Sequence, residues 1–289
     1  HRVPIPNGAF DLDIGNPPFG DTSITWQYKP EYRGLSIHNQ FFMAGLDALK
    51  PGGIMAKVVT RYLLDSVDTT AREMMAMKGR LLGAIRLPET AFKENARTEV
   101  ITDIVFLQRL TPSEEATMKF AFEAKNSTAE KGWKAEKERR ALADQVPGWV
   151  YTTKVPDPAG GEAMNISSYF ADNPGMVVGT MDRTGSMQHG ADVTVKLAKD
   201  ADFAAELRQR VEQLPEGVMD RSDEAIQASI DRFKGMAAGL EIAVAGHEPG
   251  HMAVNADGKL EQIFERETPE GDFEFARRVV TPASPWSKQ

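Results

Sequence analysis

Apolar and polar side chains recur with two different periods along the first part of the chain. Residues 10–15 (FDLDIG) alternate apolar and acidic positions and end in glycine, which predicts a short strand that runs into a tight loop. Residues 36–50 carry apolar side chains three and four positions apart, which predicts a helix ended by Pro51-Gly52-Gly53. Similar runs predict strands at 54–59, 81–86 and 100–108 and a methionine-rich helix near 67–78.

Strands that alternate with helices indicate an α/β fold with a doubly wound sheet, in which ligands bind at the carboxyl ends of the strands. A polar, highly charged stretch begins near Thr111 and ends this pattern. We therefore expect two parts, an α/β domain over residues 1–110 and a mixed α+β accessory region over residues 111–289. The accessory region has predicted elements that comprise a strand at 191–197, helices at 200–213 and 222–238, and a hairpin that turns at Asp257-Gly258.

Composition narrows the class of protein. Hydrophobic residues make up 41% and charged residues 26% of the 289 positions, as in ordinary globular proteins. No cysteine is present, which excludes cysteine-based zinc, iron–sulfur and thiol chemistry. The net charge of −8 argues against a broad basic surface but is compatible with a single basic cleft. No apolar run approaches the length of a membrane span, so we expect no membrane partner and a cytoplasmic location.

The segment Asn16-Pro17-Pro18-Phe19 carries the most specific chemical signal. Its two prolines forbid helix and stiffen the loop that follows the first strand. The Asn16 side-chain oxygen and the Pro17 carbonyl can accept the two hydrogens of a planar NH2 group and direct its lone pair at an electrophile. Phe19 offers a ring face on which a flat base can stack, an interaction of about 1–3 kcal/mol. A base inside a duplex would have to flip out to reach this loop.

This tetrapeptide resembles the catalytic loop of S-adenosylmethionine-dependent N6-adenine DNA methyltransferases. Leu49-Lys50-Pro51-Gly52-Gly53 before a strand, and later GAIRLPETAF and TDIVFLQ, resemble type I modification subunits and the large methylase–helicase proteins of phages and conjugative elements. NISSYFADNPGMVVG and LPEGV resemble downstream sequence of the second group. The resemblance implies a Rossmann-like methyltransferase sheet of which residues 1–110 form the C-terminal half.

The resemblance also implies a glycine-rich cofactor loop before the tetrapeptide, and the chain departs from it here. Only fifteen residues precede Asn16, and none forms such a loop or supplies the acidic residue that binds the ribose. The chain starts at His1 just before a strand, so we interpret it as part of a longer polypeptide whose N-terminal portion is a partner. We therefore expect this fragment to bind S-adenosylmethionine weakly or not at all, and to be inactive alone.

Weaker candidates flank this loop, and each has a structural alternative. We predict contacts to nucleic acid for the cations Lys29 and Arg33, with Trp26, Tyr28 and Tyr32 beside them, although a solvated loop would look the same. Arg61 ends a strand and either lines the crevice or forms an ion pair. Lys93, Asn95 and Arg97 are further candidates for DNA contact. His247 and His251 have zinc-like spacing, but Pro249 disfavours a helix there and no third ligand is evident, so we predict no metal.

The function expected from the sequence is methyl transfer to adenine N6 of DNA by the full-length protein, in restriction–modification or anti-restriction. Two alternatives remain open at this stage. Loops of the same type also hold the amines of RNA bases and of protein glutamine, so methylation of RNA or of protein remains an alternative to methylation of DNA. The chain could instead be a non-catalytic binding or assembly module derived from a methyltransferase.

Overall fold

The computed structural model describes residues 7–20, 29–92, 100–127, 136–156, 163–186, 190–219, 231, 252–254, 260–267 and 273–279. Contacts divide the chain into two units. The first covers Phe10–Met219, and the second joins His1–Ala9 to Asp220–Gln289. Among the described residues, no helix is both long enough and apolar enough to cross a membrane.

The first unit contains both strands and helices. Its strands are β1 (Phe10–Gly15), β2 (Leu49–Thr60), β3 (Gly79–Arg86), β4 (Thr102–Arg109), β5 (Thr152–Val155), β6 (Met164–Ser167), β7 (Thr180–Ser186) and β8 (Gly190–Lys196). Its helices are α1 (Ile37–Ala48), α2 (Tyr62–Asp65), α3 (Thr70–Ala76), α4 (Pro112–Asn126), α5 (Glu136–Ala143), α6 (Ser168–Asp172) and α7 (Phe203–Val211). The second unit contributes β9 (Met252–Val254), β10 (Leu260–Glu267) and β11 (Phe273–Val279).

The central sheet has the strand order β1-β2-β4-β3. Strands β1 and β2 are parallel, whereas β4 is antiparallel to both β2 and β3. The molecule is therefore a mixed α/β protein with a mixed sheet, which confirms the predicted fold class. Two further hairpins, β5–β6 and β7–β8, and the three-stranded antiparallel sheet β11-β10-β9 complete the described strands. The pairing of β9 with β10 agrees with the predicted hairpin, whose turn lies outside the described residues.

The turn within the first residues of β2 follows from its sequence. Helix α1 ends at Ala48, and Pro51 cannot continue it. Gly52 adopts a positive φ of 81°, a conformation that favours glycine. The extra residues of this turn shift the register of β1 on β2 between Phe10 and Leu12.

The methionine-rich helix is shorter than its pattern predicts. Helix α3 covers Thr70–Ala76 and is preceded by the separate one-turn helix α2. Asp68 breaks the two apart because its carboxylate accepts hydrogen bonds from the backbone N–H and the hydroxyl of Thr70. Met75 and Ala76 are fully buried, so this segment fills the core, as expected for methionine at such spacing.

The predicted boundary near residue 110 lies inside the first unit. Val150, Ile166 and Phe170 pack into the same hydrophobic core as Met55 and Val105 of the central sheet. Tertiary contacts thus join the accessory segment through residue 219 to the sheet, although the composition of the chain changes at Thr111. The division of labour between residues 1–110 and 111–289 stays a prediction.

A buried network of four charges ties the sheet to the accessory segment. Arg86, which is fully buried, donates two hydrogen bonds to Asp103, of 2.8 and 2.9 Å, and one of 2.9 Å to Asp65. Asp65 also accepts the backbone N–H of Ser167 at 2.9 Å and the guanidinium of Arg61 at 3.2 Å. Burial lowers the pKa of Arg86, but the carboxylates of Asp103 and Asp65 raise it by more. The pKa therefore lies above its usual value and this guanidinium stays charged.

Strand β1 exposes the apolar side chains of its alternating pattern. Leu12 is 51% and Ile14 is 71% exposed, whereas Asp11 and Asp13 on the other face pair with Lys50 and Lys57 of β2. Strand β1 is also an edge strand among the described residues, since it pairs with β2 alone. This face of the sheet therefore lacks the cover that its composition requires.

We predict that Asp65→Asn lowers the free energy of unfolding by about 3 kcal/mol or more, because it leaves buried cations without their counter-charge. The exposed ion pair between Lys196 and Asp182 offers a matched control, and Lys196→Gln should leave stability nearly unchanged. Chemical denaturation followed by circular dichroism measures both. Equal losses in the two variants would contradict the role given to the buried network.

Candidate functional site at the carboxyl edge of the sheet

The tetrapeptide predicted to carry the chemistry begins where β1 ends. Gly15 is paired with Lys57 of the parallel strand β2, so Asn16 lies beside the last residues of that strand. The loop therefore occupies the edge at which the carboxyl ends of two neighbouring parallel strands meet. Ligands bind in such crevices in open α/β sheets.

Within the loop, the polar and aromatic groups face outward while one proline holds the backbone. Asn16, Pro18 and Phe19 are exposed, Phe19 by 44% of its surface, and Pro17 is buried. No hydrogen bond to the Asn16 side chain occurs among the described residues. The amide oxygen is therefore free to accept a hydrogen from a bound molecule, and the buried proline limits how far the loop can move.

The position of β1 is fixed from the side of α1. Lys57 Nζ lies 2.9 Å from Asp13 Oδ2 and is buried, and it also donates to the carbonyl of Phe41 at 3.4 Å. A Cβ atom at Gly45 of α1 would overlap the carboxylate of Asp13, so glycine allows this close approach of helix and strand. These contacts fix the position of β1, the strand that leads into Asn16.

Lys29 does not reach this edge. Its Nζ atom donates to Asp47 Oδ2 at 2.6 Å, in the last turn of α1, and Lys78 and the buried Tyr32 donate to the same carboxylate. Helix α1 begins at the carboxyl edge and its 12 residues span about 18 Å. Lys29 and Tyr32 therefore form a structural cluster at the opposite end of the helix, and contact of Lys29 with nucleic acid stays an untested prediction.

Titration of this cluster follows from its contacts. Burial raises the pKa of Asp47, but hydrogen bonds from Lys29, Lys78 and Tyr32 lower it more, so the pKa lies below its usual range. Burial and the hydrogen bond to Asp47 raise the pKa of the Tyr32 phenol. At neutral pH the cluster thus holds a carboxylate between two cations and a neutral phenol.

Arg33 and Arg61 do lie at the carboxyl edge. Arg33 is exposed and lines a cavity of about 550 Å³ between the start of α1 and helices α2 and α3. Arg61 follows β2 directly, is buried and bonds Asp65, so the ion-pair alternative describes its main contact. Its guanidinium also stacks on Tyr62, 4.6 Å from the ring centroid.

Several predicted residues lie outside the described part of the chain. They are Trp26, Tyr28, Lys93, Asn95, Arg97, His247 and His251. Among the residues that are described, no group of three or more His, Asp or Glu side chains could hold a metal ion.

Tyr62 is a site residue that the sequence analysis missed. It lies one residue beyond Arg61, and its side chain is 55% exposed at the carboxyl edge. The signal that could have identified it is an aromatic residue two positions after the end of β2, the strand beside the one that leads into Asn16-Pro17-Pro18-Phe19. The residue lines the same cavity as Arg33.

Weak or absent binding of S-adenosylmethionine by this chain stays a prediction. The edge carries the groups suited to a planar amine, but neither a glycine-rich loop nor a ribose-binding acid precedes Asn16 in the sequence.

Comparisons with known proteins give one significant relative in sequence. The chain is 34% identical over 116 residues to the defense against restriction protein B of Escherichia phage P1. That segment covers 39% of the chain but only 5% of the phage protein, so the chain spans a small part of its curated relative. No family model matches the chain.

Solved structures with partial likeness are methyltransferases. A Listeria monocytogenes protein assigned to the class I S-adenosylmethionine-dependent methyltransferases covers 50% of the chain and 43% of its own, with 17% identity and a TM-score of 0.29. The likeness to the M protein of the type I restriction enzyme EcoKI covers 83% of this chain and 51% of that protein, with 14% identity and a TM-score of 0.31. Because these TM-scores are low, the proposed function rests on the residues of the site.

We predict that acid weakens the fold through Asp47. Because its folded pKa lies below the unfolded value, its contribution to stability is present above about pH 4 and is lost as the pH falls through the folded pKa. Asp47→Asn should therefore be less stable than the parent chain at pH 7 and should show a smaller loss between about pH 5 and pH 3. Urea denaturation over that range measures the difference, and parallel curves would contradict the prediction.

Proposed function

We propose that this chain is the substrate-amine half of an S-adenosylmethionine-dependent methyltransferase that methylates adenine N6 in DNA. The observation that carries the proposal is the Asn16-Pro17-Pro18-Phe19 segment, exposed at every residue except Pro17, at the carboxyl end of a strand that is parallel to its neighbour. The fold and the residue types agree with this chemistry, and no nucleophile or metal is needed for it.

The role of the loop follows from the electronic structure of adenine. The exocyclic nitrogen is a poor nucleophile because its lone pair is delocalised into the ring. In our proposal, Asn16 Oδ1 accepts one hydrogen of the amine and the Pro17 carbonyl accepts the other, which favours a tetrahedral nitrogen whose lone pair points outward. Phe19 stacks on the flipped base and fixes its plane. S-adenosylmethionine would supply the methyl group.

The bare edge and face of β1 support a partner that contains the cofactor site. Leu12 and Ile14 present an apolar surface, and the edge of β1 that carries no strand among the described residues can accept one more strand. We propose that the N-terminal portion of the same polypeptide adds a strand beside β1 and covers this face. That portion would supply the glycine-rich loop that this chain lacks.

The biological setting is proposed from the phage relative. The name of that protein refers to defense against restriction, and DNA methylation at restriction sites is a direct means of such protection. We therefore propose an anti-restriction or restriction–modification role, with DNA as the macromolecular partner. The missing cofactor loop favours one rival, a non-catalytic module that keeps the loop only for binding.

We expect Asn16→Ala to reduce methyl transfer by about 100-fold or more in a protein that joins this chain to its cofactor-binding portion, because one of two preorganised acceptors is lost. Asn16→Asp keeps an acceptor oxygen at the same position and should retain more activity. Transfer from labelled S-adenosylmethionine to DNA, RNA and protein is measured in parallel. Undiminished labelling of DNA by Asn16→Ala would exclude the proposed role of the loop.

We also predict that calorimetry detects no micromolar binding of S-adenosylmethionine to the 289-residue chain alone, and that the N-terminal portion restores binding when the two are co-expressed. Ile14→Lys should block this restoration without changing the melting temperature of the chain, since the side chain is 71% exposed. Micromolar binding by the chain alone would contradict the division of the site. A restored pair that binds cofactor but never transfers methyl groups would favour the non-catalytic module.

A further inference from the structure

Tyr62 differs from Phe19 at the carboxyl edge because a cation packs against its ring. Its own side chain is 55% exposed, yet the guanidinium of the buried Arg61 lies 4.6 Å from its ring centroid. One face of the ring is thus occupied by a cation. The exposed remainder of the ring is available to a second flat group.

The cation behind the ring is itself held rigidly. Arg61 Nη1 bonds Asp65 Oδ2 at 3.2 Å, and Asp65 Oδ1 accepts from Arg86 and from the backbone of Ser167, each at 2.9 Å. Arg86 in turn is locked onto Asp103 by two hydrogen bonds. The network compensates the charge of Arg61 and fixes the orientation of its guanidinium, which a free surface arginine would not have.

The space in front of Tyr62 has the size and polarity of a ligand site. The cavity of about 550 Å³ that Tyr62 lines falls within the usual range for bound small molecules. Arg33 at its margin forms no ion pair among the described residues and is suited to a phosphate group. Ser36 and His38 add polar groups to its wall, and burial lowers the pKa of His38, so that imidazole is neutral.

Two acidic residues also line the cavity, which argues against a simple anion site. Asp68 is engaged in the hydrogen bonds to Thr70 that start α3, whereas Glu31 is exposed. A ligand with both a hydrogen-bond donor edge and one phosphate satisfies this lining better than phosphate alone. A nucleotide has those properties, and its base would stack on the ring of Tyr62.

We propose that the Tyr62 cavity binds a nucleotide of the DNA strand next to the one whose base enters the Asn16 loop. The inference rests on the proposed function for the choice of DNA as the ligand. Phe19 and Tyr62 then act as two separate platforms at the ends of neighbouring strands, one for the target base and one for a flanking base. The flanking contact would hold the strand while the target base is flipped.

Binding of a fluorescein-labelled single-stranded deoxyadenosine 12-mer to the 289-residue chain at low salt tests the proposal by fluorescence anisotropy. We expect Tyr62→Leu to weaken binding about 5- to 100-fold, the range for loss of one base–aromatic stack, and Tyr62→Phe to stay close to the parent. The matched control is Phe120→Leu, because Phe120 is 56% exposed on α4 and should not contact DNA. Melting temperatures verify that all variants are folded.

A second readout locates the contact. Ultraviolet cross-linking of a 12-mer that carries one 5-iododeoxyuridine should attach the base to the peptide that contains Tyr62, and mass spectrometry identifies the residue. Equal affinities of Tyr62→Leu and Phe120→Leu, a cross-link only elsewhere, or no binding by the parent chain would each overturn the proposal. Tighter binding of the matching RNA would overturn DNA as the ligand.

The outcome is separable from that of the proposed function. Asn16→Ala is measured for methyl transfer and Tyr62→Leu for affinity for the 12-mer, so each variant tests one of the two proposals. Loss of methyl transfer in Asn16→Ala together with unchanged DNA affinity in Tyr62→Leu would refute the cavity and keep the enzyme. Weakened affinity in Tyr62→Leu with full methyl transfer in Asn16→Ala would refute the enzyme mechanism and keep the cavity.

Discussion

The parallel pairing of β1 with β2 is the constraint on which the rest of the site depends. It brings the end of β1, where Asn16 begins the exposed loop, beside the end of β2, where Arg61 and Tyr62 follow. Among the described residues, the pairing is supported from one face, by the ion pair of Asp13 with buried Lys57 and by the close approach of Gly45. A loop that must hold an amine within hydrogen-bond distance needs this support, because a shift of about 1 Å is enough to lose much of the effect of positioning.

The second determinant is the network of Arg61, Asp65, Arg86 and Asp103. A buried charge pair contributes little net stability compared with apolar packing, but removal of one partner is costly. Its value here is geometric, since it connects the end of β2 to Ser167 of the accessory segment and orients the guanidinium under Tyr62. The accessory segment therefore bears on the carboxyl edge through a specific hydrogen bond, and its hydrophobic core is continuous with that of the sheet.

Local pattern was sufficient for most elements and insufficient for their environment. The strand at 10–15, the helix at 36–50 and the strands near 54–59, 81–86 and 100–108 all occur, because period and turn residues act over a few positions. The exposure of Leu12 and Ile14, the split at Asp68 and the pairing of Lys29 with Asp47 could not be predicted, since each depends on which surfaces meet in space. The same applies to Tyr62, whose significance comes from the cation packed behind it.

The central claim is that two oxygens of a stiff loop orient the exocyclic amine of adenine. The most direct measurement is the chemical position of the transferred methyl group. DNA treated with the full-length protein and S-adenosylmethionine is digested to nucleosides and analysed by mass spectrometry against authentic standards. We expect N6-methyldeoxyadenosine. A methyl group on C5 of cytosine would contradict the proposed role of the loop, because that carbon carries no NH2 group for the loop to hold.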